Sequence, residues 1–241
     1  MITLIRSELL KLRTIRTWWI LLLVQVGLVV VGVSGAAAQG ILANDPDKAR
    51  LMISHAGILS LFALVLGVNA VAAEYRHRTI TDTYLATPRR GRVIVAKLVT
   101  YTGVGLLYGL VSAVVAVAAT AAWFAAKDVP LNLATDDVWR TIVGAVLWNG
   151  LYAAAGVSLG ALVPNLGAAI GVALAWIAIV EGLVGQLLGD LGRWLPMASG
   201  RALGNMPGDL LPQIGGGLVL AGYVVVLATI AAATSVRRDV T

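Results

Sequence analysis

Glu74 and His77 stand three residues apart, a spacing that puts a carboxylate and an imidazole on one helix face, as in half of a carboxylate-bridged metal site. The other half is missing. The chain has two histidines and no cysteine, and the second histidine, His55, falls on the opposite side of an apolar run from His77. Thiolate metal sites, cysteine nucleophiles and disulfides are excluded, and a histidine-rich metal site lacks ligands. Hydrolysis within a membrane would need a serine-base pair, an aspartate pair inside the apolar segments or a histidine-carboxylate zinc set, and one Glu-x-x-His supplies none of these. No G-x-x-x-x-G-K-[ST] run occurs, and Gly91-Arg92-Val93 has neither the glycine spacing nor the lysine of a phosphate loop. The expectation is a non-catalytic chain that binds no cofactor or metal of its own.

The elements that carry these residues are set by composition. Of 241 residues, 59% are hydrophobic and 12% charged, with a mean hydropathy of +0.88, whereas a soluble domain carries about 25% charged residues. Lipid is the solvent such a chain requires. The net charge of +6 does not indicate nucleic acid, because the bases sit between apolar runs and not on one face of a folded domain. A bilayer core of about 30 Å takes about 20 apolar residues in helix. Stretches free of Asp, Glu, Lys and Arg run over 17–44, 51–73, 98–126, 141–180 and 210–236. Val163-Pro164-Asn165 divides the fourth, since proline removes a helix hydrogen bond and Asn favours a turn. Six spans are predicted, at about 17–40, 52–73, 98–125, 141–163, 166–188 and 214–235.

The fold class is therefore all-α: one polytopic transmembrane domain over 1–241. An even number of spans puts both termini on one side, and basic loops select the cytoplasm. Arg6, Lys11, Arg13, Arg16, the bases from Arg76 to Lys97, Arg237 and Arg238 fall there, most of the 18 Lys and Arg. Asp45, Asp47, Asp128, Asp136, Asp137, Asp190 and Asp209 fall on the other side. Within 1–16, Ile2, Ile5, Leu9 and Leu12 recur at helical spacing while Arg6, Lys11 and Arg13 take other faces, which predicts an amphipathic interfacial helix; a simple basic anchor is the alternative. Segment 189–213, with Trp194-Leu195-Pro196 and two further prolines, is too broken to span and too apolar for an ordinary loop, so short re-entrant or interfacial helices are expected. Gly105 and Gly109, Gly156 and Gly160, and Gly167 and Gly171 are spaced to let helices approach closely in lipid.

Between the second and third spans, in the loop 74–97, a long apolar run ends in Glu74-Tyr75-Arg76-His77-Arg78. A short stretch follows with Ile80, Tyr84 and Leu85 at amphipathic spacing, then Thr87-Pro88-Arg89-Arg90. A short helix at the inner face fits this pattern. Glu74-Tyr75-Arg76 with Thr79-Ile80, continued by Thr87-Pro88-Arg89-Arg90 and Ala96-Lys97-Leu98, resembles the permeases of type-2 ATP-binding cassette (ABC) exporters. The resemblance covers the whole chain in topology and is motif-specific over 74–98 and from Ser7-Glu8 to Arg16. It implies a connecting helix carrying Arg6, Glu8, Lys11 and Arg13. It also implies a coupling helix, with Glu74, Tyr75, Arg76, Arg78, Thr79, Ile80, Tyr84, Arg89 and Arg90, that docks on a separate cytoplasmic ATPase holding ATP and Mg. A second permease copy, identical or related, completes the assembly in the plasma membrane. Glu74 has Arg76, Arg78 and the bases of the connecting helix as possible partners; the alternative is that these charges only cap a helix and enforce topology.

Polar residues inside spans are costly and often functional, which singles out Gln25, Asn69, Asn149 and Glu181 as candidates for a path or gate. Glu181 approaches the outer interface, where Arg193 is a candidate partner and an exit gate the other reading. Asn69 either faces a cargo cavity or bonds a neighbouring helix. A small amphipathic, drug-like or lipid-like cargo suits walls of small and aliphatic residues. An ion-gradient-driven secondary transporter and a non-transporting membrane immunity or anchor protein stay open as alternatives.

Overall fold

In lipid every backbone N–H and C=O must be satisfied internally, which for a single charge-free run means a helix. The computed structural model describes residues 1–40, 46–87 and 89–237, some of them, Tyr84 and Arg237 included, by backbone alone; Asp45, Pro88 and Arg238 lie outside the described residues. Among these no strand is present. The chain begins with α1 (Ile2–Thr14), α2 (Thr17–Ala38), α3 (Pro46–Ile58), α4 (Leu61–Arg76) and the short α5 (Ile80–Ala86). There follow α6 (Arg90–Ala126), α7 (Asp136–Leu162) and α8 (Leu166–Ala175), the last continuing as a π-helix over Trp176–Val184. One turn of α9 (Gly185–Leu187), a 3₁₀ turn at Gly189–Trp194, α10 (Pro196–Leu203) and α11 (Gln213–Arg237) complete it. Among the described residues, six stretches are long and apolar enough to cross a membrane: Thr17–Ala38, Asp47–Arg76, Arg90–Ala126, Asp136–Leu162, Leu166–Leu183 and Gln213–Thr234.

The second of these is not one uninterrupted helix, as the span predicted over 52–73 suggests. It breaks between α3 and α4, where Ser60 N donates to Gly57 O at 2.9 Å and leaves the Ala56 carbonyl without its usual partner four residues on. Asn149 Nδ2 of α7 donates to that carbonyl at 2.9 Å. Trp148, fully buried, lies against the bare Cα of Gly57, so α7 supports the break from both sides.

Helix α7 is the mast of the bundle, packing against α3, α4, α6, α10 and α11. Small residues make this possible. A Cβ at Gly67 would overlap the Ala153 carbonyl, and one at Gly156 the Leu64 carbonyl, so α4 and α7 touch backbone to backbone, the close approach that substitutes for water exclusion in lipid. Gly160 and the pair Gly105 and Gly109 also sit against α4 and α7 backbones, whereas Gly171 has open space around it and Gly167 only the Asn165 side chain near. Three helices end in the same way. At α4, Thr79 N donates to Glu74 O at 3.0 Å and Arg78 N to Tyr75 O at 3.2 Å, a Schellman motif with Arg78 at φ 57°. Asp128 and Asn205 hold the equivalent left-handed position after α6 and α10.

Candidate functional site

Four charged side chains from three helices meet where α1 crosses the bases of α4 and α6. Lys97, in the second turn of α6, donates to Glu8 Oε2 at 2.9 Å, Glu74 Oε1 at 2.7 Å and the Ala70 carbonyl at 3.0 Å. An ammonium has three protons to donate, and all three are used. Lys11 donates to Glu8 Oε1 at 2.8 Å and Glu74 Oε1 at 2.6 Å. The cluster is electrically neutral, with Glu8, Glu74 and Lys97 buried and the Lys11 side chain 40% exposed. Burial of ions this complete is tolerated only because the geometry pairs them and hydrogen bonds satisfy most of their remaining valences; Glu74 Oε2 alone is buried without a partner.

Burial by itself lowers the Lys11 pKa, but the hydrogen bonds to Glu74 and Glu8 and the attraction of both carboxylates outweigh it, so the net effect is a pKa above the usual 10.5. A raised lysine pKa means that its contribution to folding is complete below the unfolded value of about 10.4. It is lost only as pH climbs through the raised folded value. Lys11 is therefore charged across the physiological range.

This geometry adds an inward-facing acid to the reading of α1. Its inward face carries Glu8 and Leu12, while Ile2 and Leu9, assigned to the apolar face by their spacing, are 71% and 45% exposed. The reason is electrostatic: Glu8 is the only acid in the first 40 residues, and Lys97 lies buried opposite it. Arg6 and Arg13 are exposed. Glu74 pairs with the connecting-helix base Lys11, not with Arg76 or Arg78.

Beyond the Schellman turn the chain enters α5. Arg76, Arg78, Thr79 and Arg89 are exposed, Arg90 is half-buried, and Tyr75 packs against the core that holds Leu12 and Tyr101. Ile80 is buried and anchors α5, while Leu85 is 76% exposed; the Tyr84 side chain lies outside the described residues. An apolar anchor on one face of a short helix, with exposed bases around it, describes a surface element held firmly on the bundle.

Residues 4–153, more than half of the chain, match the family described as ABC-2 family transporter protein. The chain belongs to the ABC-2 transporter family. It is thus a multi-pass protein of the cell membrane and the membrane-spanning permease of an ABC transporter, a class that works with an ATPase partner. No curated protein matches it. The matched region takes in α1 through most of α7, and so the whole of the charged cluster.

A second polar network lies deeper in this ABC-2 permease. Gln25 Nε2 donates to Ser112 Oγ and Asn149 Oδ1, both at 2.9 Å, and Asn149 Nδ2 donates to the Ala56 and Ala145 carbonyls at 2.9 Å. Gln25, Ser112 and Asn149 are fully buried, so α2, α3, α6 and α7 are tied without any net charge. Asn69 is half-buried and joins neither network. Glu181 is not paired with Arg193. Its Oε2 accepts from Met197 N at 2.5 Å and Ala198 N at 3.3 Å, capping the start of α10, where unsatisfied N–H groups and the helix dipole favour a carboxylate. Arg193 instead donates to Asp190 at 2.8 Å and also to Asp209.

Lys97 is the site residue that sequence reasoning left without a role, counting it among the inner bases and quoting it in the Ala96-Lys97-Leu98 motif but not among the coupling residues. It stands apart from Arg89, Arg90 and Arg92 and opens a long run without another charge. A lysine one turn inside a span is the signal that would have found it. Ser112 offers no such signal, because a lone serine in an apolar helix is ordinary.

Proposed function

We propose that this permease receives ATP-driven movement through α5 and passes it to its second and third spans through the Glu8, Lys11, Glu74 and Lys97 cluster. The observation that carries this reading is that one buried ammonium, Lys97, bonds α1 and α4 at once, beside an exposed short helix. A push on α5 is then a push on three helices, since the Schellman turn leaves no slack between Glu74 and Ile80. Arg76, Arg78, Arg89 and the exposed Leu85 provide the docking face for the ATPase, which holds ATP and Mg. Both termini lie in the cytoplasm, a second permease copy completes the path, and the cargo is a small amphipathic, drug-like or lipid-like compound that is exported.

The test uses the permease reconstituted with its co-purifying ATPase. Glu74→Ala and Arg76→Ala are expected to insert normally but to lose cargo-stimulated ATP hydrolysis and transport; unchanged ATP-driven transport in both variants refutes the reading. Because the chain has no cysteine, single cysteines at Arg78 and Lys127 report orientation cleanly. Impermeant maleimide added to whole cells is expected to label the Lys127 position and not the Arg78 position.

A further inference from the structure

At the end of the bundle opposite α1, an open groove of about 650 Å³ runs between the start of α7 and α11. Its walls are mostly apolar, including Val143, Leu147 and Leu218, and its mouth carries Asp136, Trp139 and Arg140. Asp136 and Arg140 are four residues apart on α7, so their side chains leave the helix on one face. No ion pair joins them to each other or to any other described residue. Trp139, 59% exposed, has the amphipathic ring that settles at a membrane interface.

We infer that this groove is a binding site for a zwitterionic phospholipid. The lipid phosphate meets Arg140, its ammonium meets Asp136, and one acyl chain lies along Val143, Leu147 and Leu218. Two opposite charges one turn apart and unpaired are complementary to a head group that is itself a dipole. An anionic lipid satisfies Arg140 but sets its net charge against Asp136 and the neighbouring Asp137, so it is disfavoured. The apolar walls continue the lipid-facing surface, where Leu218 is 69% and Ile214 78% exposed, so the acyl chain enters from the bilayer without crossing a polar barrier. This inference does not depend on the coupling reading, nor on which leaflet α7 starts in.

The test places the whole permease in nanodiscs doped with phosphatidylethanolamine or phosphatidylglycerol brominated on the acyl chains. The Trp139 signal is isolated as the difference between the unaltered chain and Trp139→Phe. Brominated phosphatidylethanolamine is expected to quench that signal at several-fold lower lipid fraction than phosphatidylglycerol, and Asp136→Asn with Arg140→Gln is expected to erase the preference. Equal quenching by the two lipids overturns the inference, as does a preference that survives the double substitution. A Trp139 signal that neither lipid quenches also overturns it, and means that a second copy or another protein covers the groove.

Discussion

Lys97 and Gln25 are both fully buried polar side chains that bond across to two other helices, yet they hold the bundle in different ways. Gln25 and its partners Ser112 and Asn149 are neutral, so losing one member strands an amide or a carbonyl. Losing Lys97 leaves two buried carboxylates with Lys11 as their one remaining cation, so one negative charge goes uncompensated. Neutral hydrogen bonds between membrane helices contribute little each, averaging about 0.6 kcal/mol, whereas an uncompensated buried charge costs several. The bundle thus keeps cheap, forgiving ties at its middle and costly, all-or-none ties at the end where α5 lies. A costly tie is what a transmission element needs, because helices joined by it move together or not at all.

The largest effect should come from removing the ammonium. Lys97→Met is expected to destabilise the permease by about 3–5 kcal/mol and to loosen α1, which keeps only the Lys11 tie to Glu74 and the packing of Leu12, read by unfolding in nanodiscs and by protease access to 1–16. Pairing Lys97→Met with Glu74→Leu removes a stranded carboxylate, so the double variant should recover part of the stability. Coupling to the ATPase should remain lost. Stability and coupling that rise together in the double variant would show that the cluster is only a fastener. A smaller effect is expected at the seam between the two regions. Gly156→Leu forces a side chain into the Leu64 backbone and should cost about 1–3 kcal/mol, lowering the thermal midpoint.

How much of this was legible in the sequence depended on the kind of force involved. The six spans follow from charge-free length, and α5 from the spacing of Ile80 and Leu85 between a charged turn and a proline. The break at Ser60 was not readable, because the side chains that support it, Trp148 and Asn149, lie some ninety residues away. The same is true of the charged cluster: Glu8, Glu74 and Lys97 are each visible as charges, but their meeting is set by how α1 lies across α4 and α6. Local spacing gave Ile2 and Leu9 the apolar face of α1, but not that Glu8 would turn inward to meet a long-range partner, Lys97. At Glu181 nearness in sequence suggested Arg193, while the start of α10 offered two oriented N–H groups and won.

Asn149→Ala probes the neutral side of the comparison. It strands the Ala56 carbonyl and leaves Gln25 with Ser112 alone, at an expected cost of about 1 kcal/mol. Loss of the tie at the break should show as faster hydrogen exchange in α3, with ATPase coupling near that of the unaltered permease. If Asn149→Ala uncouples the ATPase as completely as Lys97→Met does, the contrast between the two networks fails, and transmission runs through the middle of the bundle as well.

The smallest expected effect has the opposite sign and separates fold from function at one residue. Arg78 occupies the left-handed position of the Schellman turn, φ 57°, where an L side chain costs about 1 kcal/mol and glycine costs nothing sterically. Arg78→Gly should therefore preserve the turn, with Thr79 N still bonded to Glu74 O, and stabilise the permease by up to about 1 kcal/mol. The guanidinium is exposed and its removal disturbs no ion pair among the described residues. A strained arginine where glycine is easier is explicable if its charge serves a partner. On that account Arg78→Gly yields a more stable permease that binds its ATPase several-fold more weakly, with the loss greatest at low salt, where exposed charges are least screened. Unchanged ATPase affinity at low salt would remove Arg78 from the docking face and leave Arg76 and Arg89 to carry it.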